Sequence, residues 1–76
     1  MRLMPLLADL LDDKAIRVRM EAPEIFRVIG KRIPDYVFPH LDKLKYLSEH
    51  DDDKVVRVHS KGAIKATLSQ AANSAT

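Results

Sequence analysis

Residues 12–19 read DDKAIRVR and residues 52–59 read DDKVVRVH. At an offset of forty, Asp12, Asp13, Lys14, Arg17 and Val18 recur as Asp52, Asp53, Lys54, Arg57 and Val58, and Ala15-Ile16 becomes Val55-Val56. A chain of 76 residues has room for one supersecondary unit and a second like it, and little else. Each copy lies between an apolar stretch before it and an apolar stretch after it. Whatever the first half folds into, the second half must be able to imitate.

The spacing of apolar residues predicts helices. Val18, Ala22, Ile25, Phe26, Ile29 and Ile33 recur at intervals of three, four and seven, which lines one helix face. Val56, Ser60, Ala63, Ile64, Thr67 and Ala71 do the same with smaller side chains. Leu3, Leu6, Leu7, Leu10 and Leu11 form a first stripe, and Val37, Leu41, Leu44 and Leu47 a third. Strand signals are poor: aromatics are few, and neither Asn-Gly nor Asp-Gly occurs. Asp12-Asp13 and His50–Asp53 punctuate the stripes, and aspartate favours helix N-termini because its carboxylate accepts from free backbone N–H groups. Pro34-Asp35 separates the second stripe from the third. The expected helices cover about 2–11, 15–32, 36–48 and 54–71, with a disordered tail at 72–76. Short loops make sequential helices antiparallel. Pro5 and Pro39 fit early helical turns, whereas Pro23 lies inside the second stripe and should bend a single helix.

A period near forty with two helices per unit is the mark of a helical solenoid, in which one hairpin buries its apolar face against the next. The residues around the doubled motif resemble the HEAT family, including the lyase-type HEAT-like repeats common in prokaryotes. That pattern has a proline-kinked first helix, an Asp in the turn, Val-Arg shortly after, then a small residue and an apolar pair. Asp13, Val18-Arg19, Ala22 and Ile25-Phe26 match it, as do Asp51, Val56-Arg57, Ser60 and Ala63-Ile64. The resemblance implies an all-α fold of two antiparallel helical hairpins stacked as an α-α superhelix, unit one at 1–33 and unit two at 34–71. It also implies that Asp13, Arg19, Asp51 and Arg57 form an architectural ladder between units. The family spacing requires a step of 38 residues, while the letter identity gives forty; the sequence leaves that register open.

Composition excludes several kinds of function. No cysteine is present, so disulfides, thiolate metal sites and cysteine nucleophiles are absent, and a reducing compartment fits. Thirteen basic and eleven acidic residues nearly cancel and are spread evenly, so the bulk charge favours neither nucleic acid nor membrane. The apolar N-terminal stretch is too short for a membrane span and has no signal cleavage pattern, and the expected location is the cytoplasm.

Candidate sites were weighed against plain structural readings. His50 beside Asp51, Asp52 and Asp53 suggests a cation, but the alternating ligands and central glycine of a calcium loop are missing, so a solvated N-cap turn is expected, with no metal and no cofactor. His40 is expected on the surface of the third helix. The serines have no nucleophile elbow, and no catalytic residue is assigned. Lys54, Arg57, Lys61 and Lys65 fall at helical spacing and form a basic stripe, either a solvated face or a docking strip for an acidic partner or nucleic-acid phosphate. On the second helix Arg17, Glu21, Glu24, Arg27 and Lys31 mix signs and mostly self-pair. Phe26 is expected in the core, while Leu6, Phe38 and Tyr46 are candidate partner anchors. Two units leave apolar helix faces uncovered. The expected role is therefore a non-catalytic protein-interaction or scaffold module, binding another protein or a second copy of itself. Nucleic-acid or acidic-partner binding through the last helix is the alternative, and an accessory part of a lyase-like enzyme a weaker one.

Overall fold

The computed structural model describes residues 3–74, and among these it is all-helical, without a strand. Helices α1 (Leu3–Leu10), α2 (Ile16–Arg32), α3 (Leu41–His50) and α4 (Lys54–Ser74) follow in order, with two 3-10 turns, Pro34–Tyr36 and Phe38–His40, before α3. Met20 meets His59 and Gly30 meets Thr67, so α2 and α4 run side by side in the same direction. Helix α3 packs along α4, and α1 lies against α2 with fewer contacts. The shortest dimension is 17 Å, room for about two helix layers. In a slab that thin every helix keeps a side in solvent.

The core gathers at the middle of that slab. Leu7 from α1, Leu11 from the turn after it, Phe26 from α2, Val37, Leu44 and Leu47 from the α3 region, and Val56 from α4 are buried together. The α2 stripe is wider than its partner. On α2, Ala22, Pro23, Phe26 and Gly30 are buried, Gly30 against Thr67 of α4, while Ile25 and Ile33 remain exposed. One neighbouring helix covers only part of an apolar arc of that width.

Three boundaries differ from the sequence expectation. The third helix begins at Leu41, not near residue 36: two successive 3-10 turns, containing Pro34 and Pro39, precede it, closed by Val37 N–H to Pro34 O (2.9 Å) and His40 N–H to Val37 O (2.8 Å). Proline supplies no backbone donor, and its ring disfavours the α region in the residue before it. The same helix runs two residues further, to His50. Helix α4 continues to Ser74 through an alanine-rich end that favours helix; Ala75 and Thr76, with Met1 and Arg2, lie outside the described residues. Pro23 sits inside α2 without dividing it.

The starts of α2 and α4 differ by one cap. Asp53 precedes α4 and its carboxylate accepts from Val55 N–H (2.8 Å) and Val56 N–H (3.1 Å). Ala15 holds the same place before α2, in extended backbone, with no side-chain cap. Ala15→Asp is expected to raise stability by about 1 kcal/mol, read as a higher urea midpoint at unchanged slope.

Candidate functional site

The two turns that follow α1 and α3 make the same bonds. Asp13 Oδ2 accepts from Ala15 N–H at 2.9 Å, and Asp51 Oδ1 accepts from Asp53 N–H at 2.9 Å. Arg19 Nη1 donates to the carbonyls of Asp13 (2.9 Å) and Lys14 (3.0 Å), and Arg57 Nη1 donates to those of Asp51 (2.7 Å) and Asp52 (3.1 Å). Each guanidinium holds the carbonyls of the turn that leads into its own helix, six and five residues back. These correspondences run at a step of 38 residues, whereas α1 and α3 end forty apart. Both registers are therefore written in the chain: the first turn is two residues longer than the second.

One contact joins the turns. Arg19 Nε donates to Asp51 Oδ2 at 2.9 Å, with the two side chains only 18% and 6% exposed. Burial pushes the Asp51 carboxyl upward, but the Asp53 N–H, the Arg19 guanidinium and the charge of Arg57 together outweigh it and hold the group below its ordinary value. A carboxyl lowered on folding contributes stability above its unfolded pKa, and that contribution is lost as pH falls through the folded pKa. Asp51→Asn is accordingly expected to cost about 2 kcal/mol at pH 7. The gap between variant and parent should narrow as pH falls below the ordinary aspartate value of about 4, as paired urea titrations would measure.

The histidines serve packing. His59 Nδ1 donates to Met20 O at 2.7 Å, tying α4 to α2. His50 lies against the Tyr46 ring, centroids 4.7 Å apart. His40, expected on the surface of the third helix, instead sits half-buried in a 3-10 turn with its ring edge-on to Phe26 at 5.6 Å. Among the described residues no group of three or more His, Asp or Glu is placed to hold a metal ion. Ser48 donates to Lys45 O at 2.7 Å, and Ser60 is buried with its hydroxyl unpartnered.

Lys54, Lys61 and Lys65 are exposed on α4, while Arg57 is half-buried and drawn to the turn. A groove between α2 and α4 brings Lys65 together with Arg27 and Lys31 beside Gly62. Sequence reasoning set Arg27 and Lys31 aside as self-paired. Arg27 does meet Glu24, at 3.3 Å, but both side chains are more than one-third exposed, and such pairs contribute little. Positions 27 and 65 are one 38-residue step apart, which is the signal that would have grouped them.

The apolar candidates are spread out. Leu6 (63% exposed) stands on α1, Phe38 (42%) in a 3-10 turn, and Tyr46 (56%) on α3 beside the Asp-rich turn, under Lys43. The structure adds a groove that sequence reasoning missed, walled by Leu3, Met4, Val28, Ile29, Ile33 and Tyr36 with Arg32 at its rim. Leu41, Ile64 and Leu68 border a second groove between α3 and α4, mixed with Asp42, Lys45, Glu49 and Lys61. No helix among the described residues is long and apolar enough to cross a membrane. Compared with known proteins, the chain matches no family model, no curated sequence and no solved structure.

Proposed function

We propose that this chain is an interaction module without catalytic activity of its own: two helical hairpins, stacked in the manner of HEAT-like repeats, that bind a protein partner through their end faces. The matched bonding of the two turns supports the repeat reading, and Asp13, Arg19, Asp51 and Arg57 serve as its architecture. A cytoplasmic location belongs to the same proposal, in keeping with a cysteine-free chain. The observation that carries the binding role is the open apolar groove between α1 and α2, with Leu3, Val28, Ile33 and Tyr36 all substantially exposed. Contiguous apolar surface of this kind marks interaction sites. Affinity capture from the native source, using the parent chain and Val28→Asp as baits, tests it. A protein retained by the parent and lost with the variant supports the role; identical captures with both baits contradict it.

A second reading rests on a separate observation, the convergence of Arg27, Lys31 and Lys65 on one groove. There an acidic partner or nucleic-acid phosphate is the ligand. Three phosphate contacts release about three counterions, giving a slope of roughly −2 to −3 in log affinity against log salt. Salt-insensitive binding that survives Lys65→Glu would exclude this reading.

A further inference from the structure

Resting on the repeat reading, the 38-residue correspondence can be carried one step past each end of the molecule. Inside the chain, Gly30 of α2 meets Thr67 of α4, and Pro23 and Phe26, seven and four residues earlier and so on the same helix face, are buried with it. One step on, the same places on α4 hold Lys61, Ile64 and Leu68, and Leu68 is 50% exposed. In the other direction, α4 offers α2 the buried positions Val56, Ser60, Ala63 and Thr67. One step back these are Val18, Ala22, Ile25 and Ile29: Ile25 is 41% exposed, Val18 and Ile29 are half-buried, and Ala22 is covered within the chain. The module therefore leaves open part of the surface it uses internally, around Leu68, and part of its counterpart, around Ile25.

The charges match in the same register. Arg19 of α2 pairs with Asp51 of the following turn. One step on, Arg57 holds its turn as Arg19 does, yet among the described residues no carboxylate pairs with its Nε. Asp13 occupies the place of Asp51, with one carboxylate oxygen turned to Ala15 N–H and no cation paired with the other among the described residues. Likewise Arg27 stands over Gly62, its Cδ 3.8 Å from where a Cβ would lie. Repeating that contact sets Lys65 over Glu24. The tight approach of Gly30 to Thr67 becomes Leu68 against Ile29, an apolar pair that needs a wider separation.

We propose that the occupant of the end faces is a second copy of this chain, docked head to tail, with Ile64 and Leu68 of one copy against Ile25 and Ile29 of the next and Arg57 against Asp13. Such contacts are heterologous, so each added copy presents the same free ends and growth is open unless the rotation closes a ring.

Sedimentation equilibrium across concentrations up to about 1 mM tests this with two surface variants, Ile25→Asp and Leu68→Asp. Both positions are exposed, so helical circular dichroism should stay unchanged. The parent is expected to associate progressively beyond a dimer, and each variant alone to remain a monomer. An equimolar mixture of the two variants should form a dimer and stop, because each supplies the face the other lacks. Lys65→Glu should weaken association about threefold to fivefold, and adding Glu24→Lys in the same chain should restore it. A parent that stays monomeric throughout overturns the proposal. So does association that survives one of the two variants, which indicates a face binding its own copy. Neither result touches the broader interaction role, which stands or falls on the capture experiment with Val28→Asp.

Discussion

Phe26→Ala is expected to remove about 3–5 kcal/mol of stability. A 76-residue domain has only about 4–11 kcal/mol in total, so the variant should lose a large share of its stability, and at the low end of that range it would sit at its unfolding midpoint in plain buffer. The reason lies in where Phe26 sits. It is fully buried at the middle of α2, its ring meets the edge of His40 from the 3-10 turn, and it shares a core with Leu11, Val37, Leu44 and Val56. Truncation removes the transfer free energy of an aromatic side chain and leaves a cavity whose walls come from several elements. A small protein has few further layers that can collapse into it. The adjacent Ile25, 41% exposed, provides the control: Ile25→Ala should cost well under the Phe26 loss, about 1 kcal/mol, since it already faces solvent and leaves no enclosed cavity. Urea unfolding followed by circular dichroism separates the two.

Gly30→Ala is expected to destabilise by about 1–3 kcal/mol, against the ordinary preference of helices for alanine over glycine by about 1 kcal/mol. At this position α2 passes α4 so closely that an added Cβ would lie 3.1 Å from Thr67 Cβ and 3.2 Å from Thr67 Cα, and would overlap Thr67 Oγ1. Thr67 cannot readily give way, because it is fully buried and its hydroxyl donates to Ala63 O at 2.8 Å. The two helices must part instead. Gly62, the other glycine of the chain, predicts the opposite sign. A Cβ there would meet only Arg27 Cδ, at an ordinary 3.8 Å, so Gly62→Ala should raise stability by about 1 kcal/mol through helix propensity alone. Opposite shifts of the urea midpoint for the same substitution at two helical glycines would locate the close approach at Gly30.

The helices were legible because their causes are local. Apolar spacing, aspartate caps and prolines outlined all of them, and the buried side of α4 (Val56, Ser60, Ala63 and Thr67) was the stripe read from spacing. The α2 stripe was read as one buried face, yet Ile25 and Ile33 are exposed. Periodicity shows which residues share a face but not how much of it a neighbour covers. The late start of α3 escaped for a similar reason: Pro34 and Pro39 permit helix at a first turn, and only the assembled chain selects two 3-10 turns there. At the candidate sites, the bonds of Asp13, Arg19, Asp51 and Arg57 fall within the turns that the doubled motif marked out. The letters alone aligned Arg17 with Arg57, whereas the hydrogen bonds align Arg19 with Arg57. Turns of unequal length shifted the letter identity, while the family spacing had set Arg19 with Arg57. Arg27 and Lys31 were passed over because their partner in the groove, Lys65, comes from a helix whose lateral position no local pattern encodes.

The proposed end faces, the Arg19–Asp51 contact and the basic groove all depend on α2 and α4 lying parallel. Nuclear Overhauser contacts in solution test that placement most directly. The account predicts cross-peaks from the Gly30 Hα protons to the Thr67 methyl group, together with contacts between the Met20 and His59 side chains at the opposite end of the two helices. A spectrum in which Gly30 gives no cross-peak to α4, or gives one to residues near Val56 as antiparallel helices would, contradicts it.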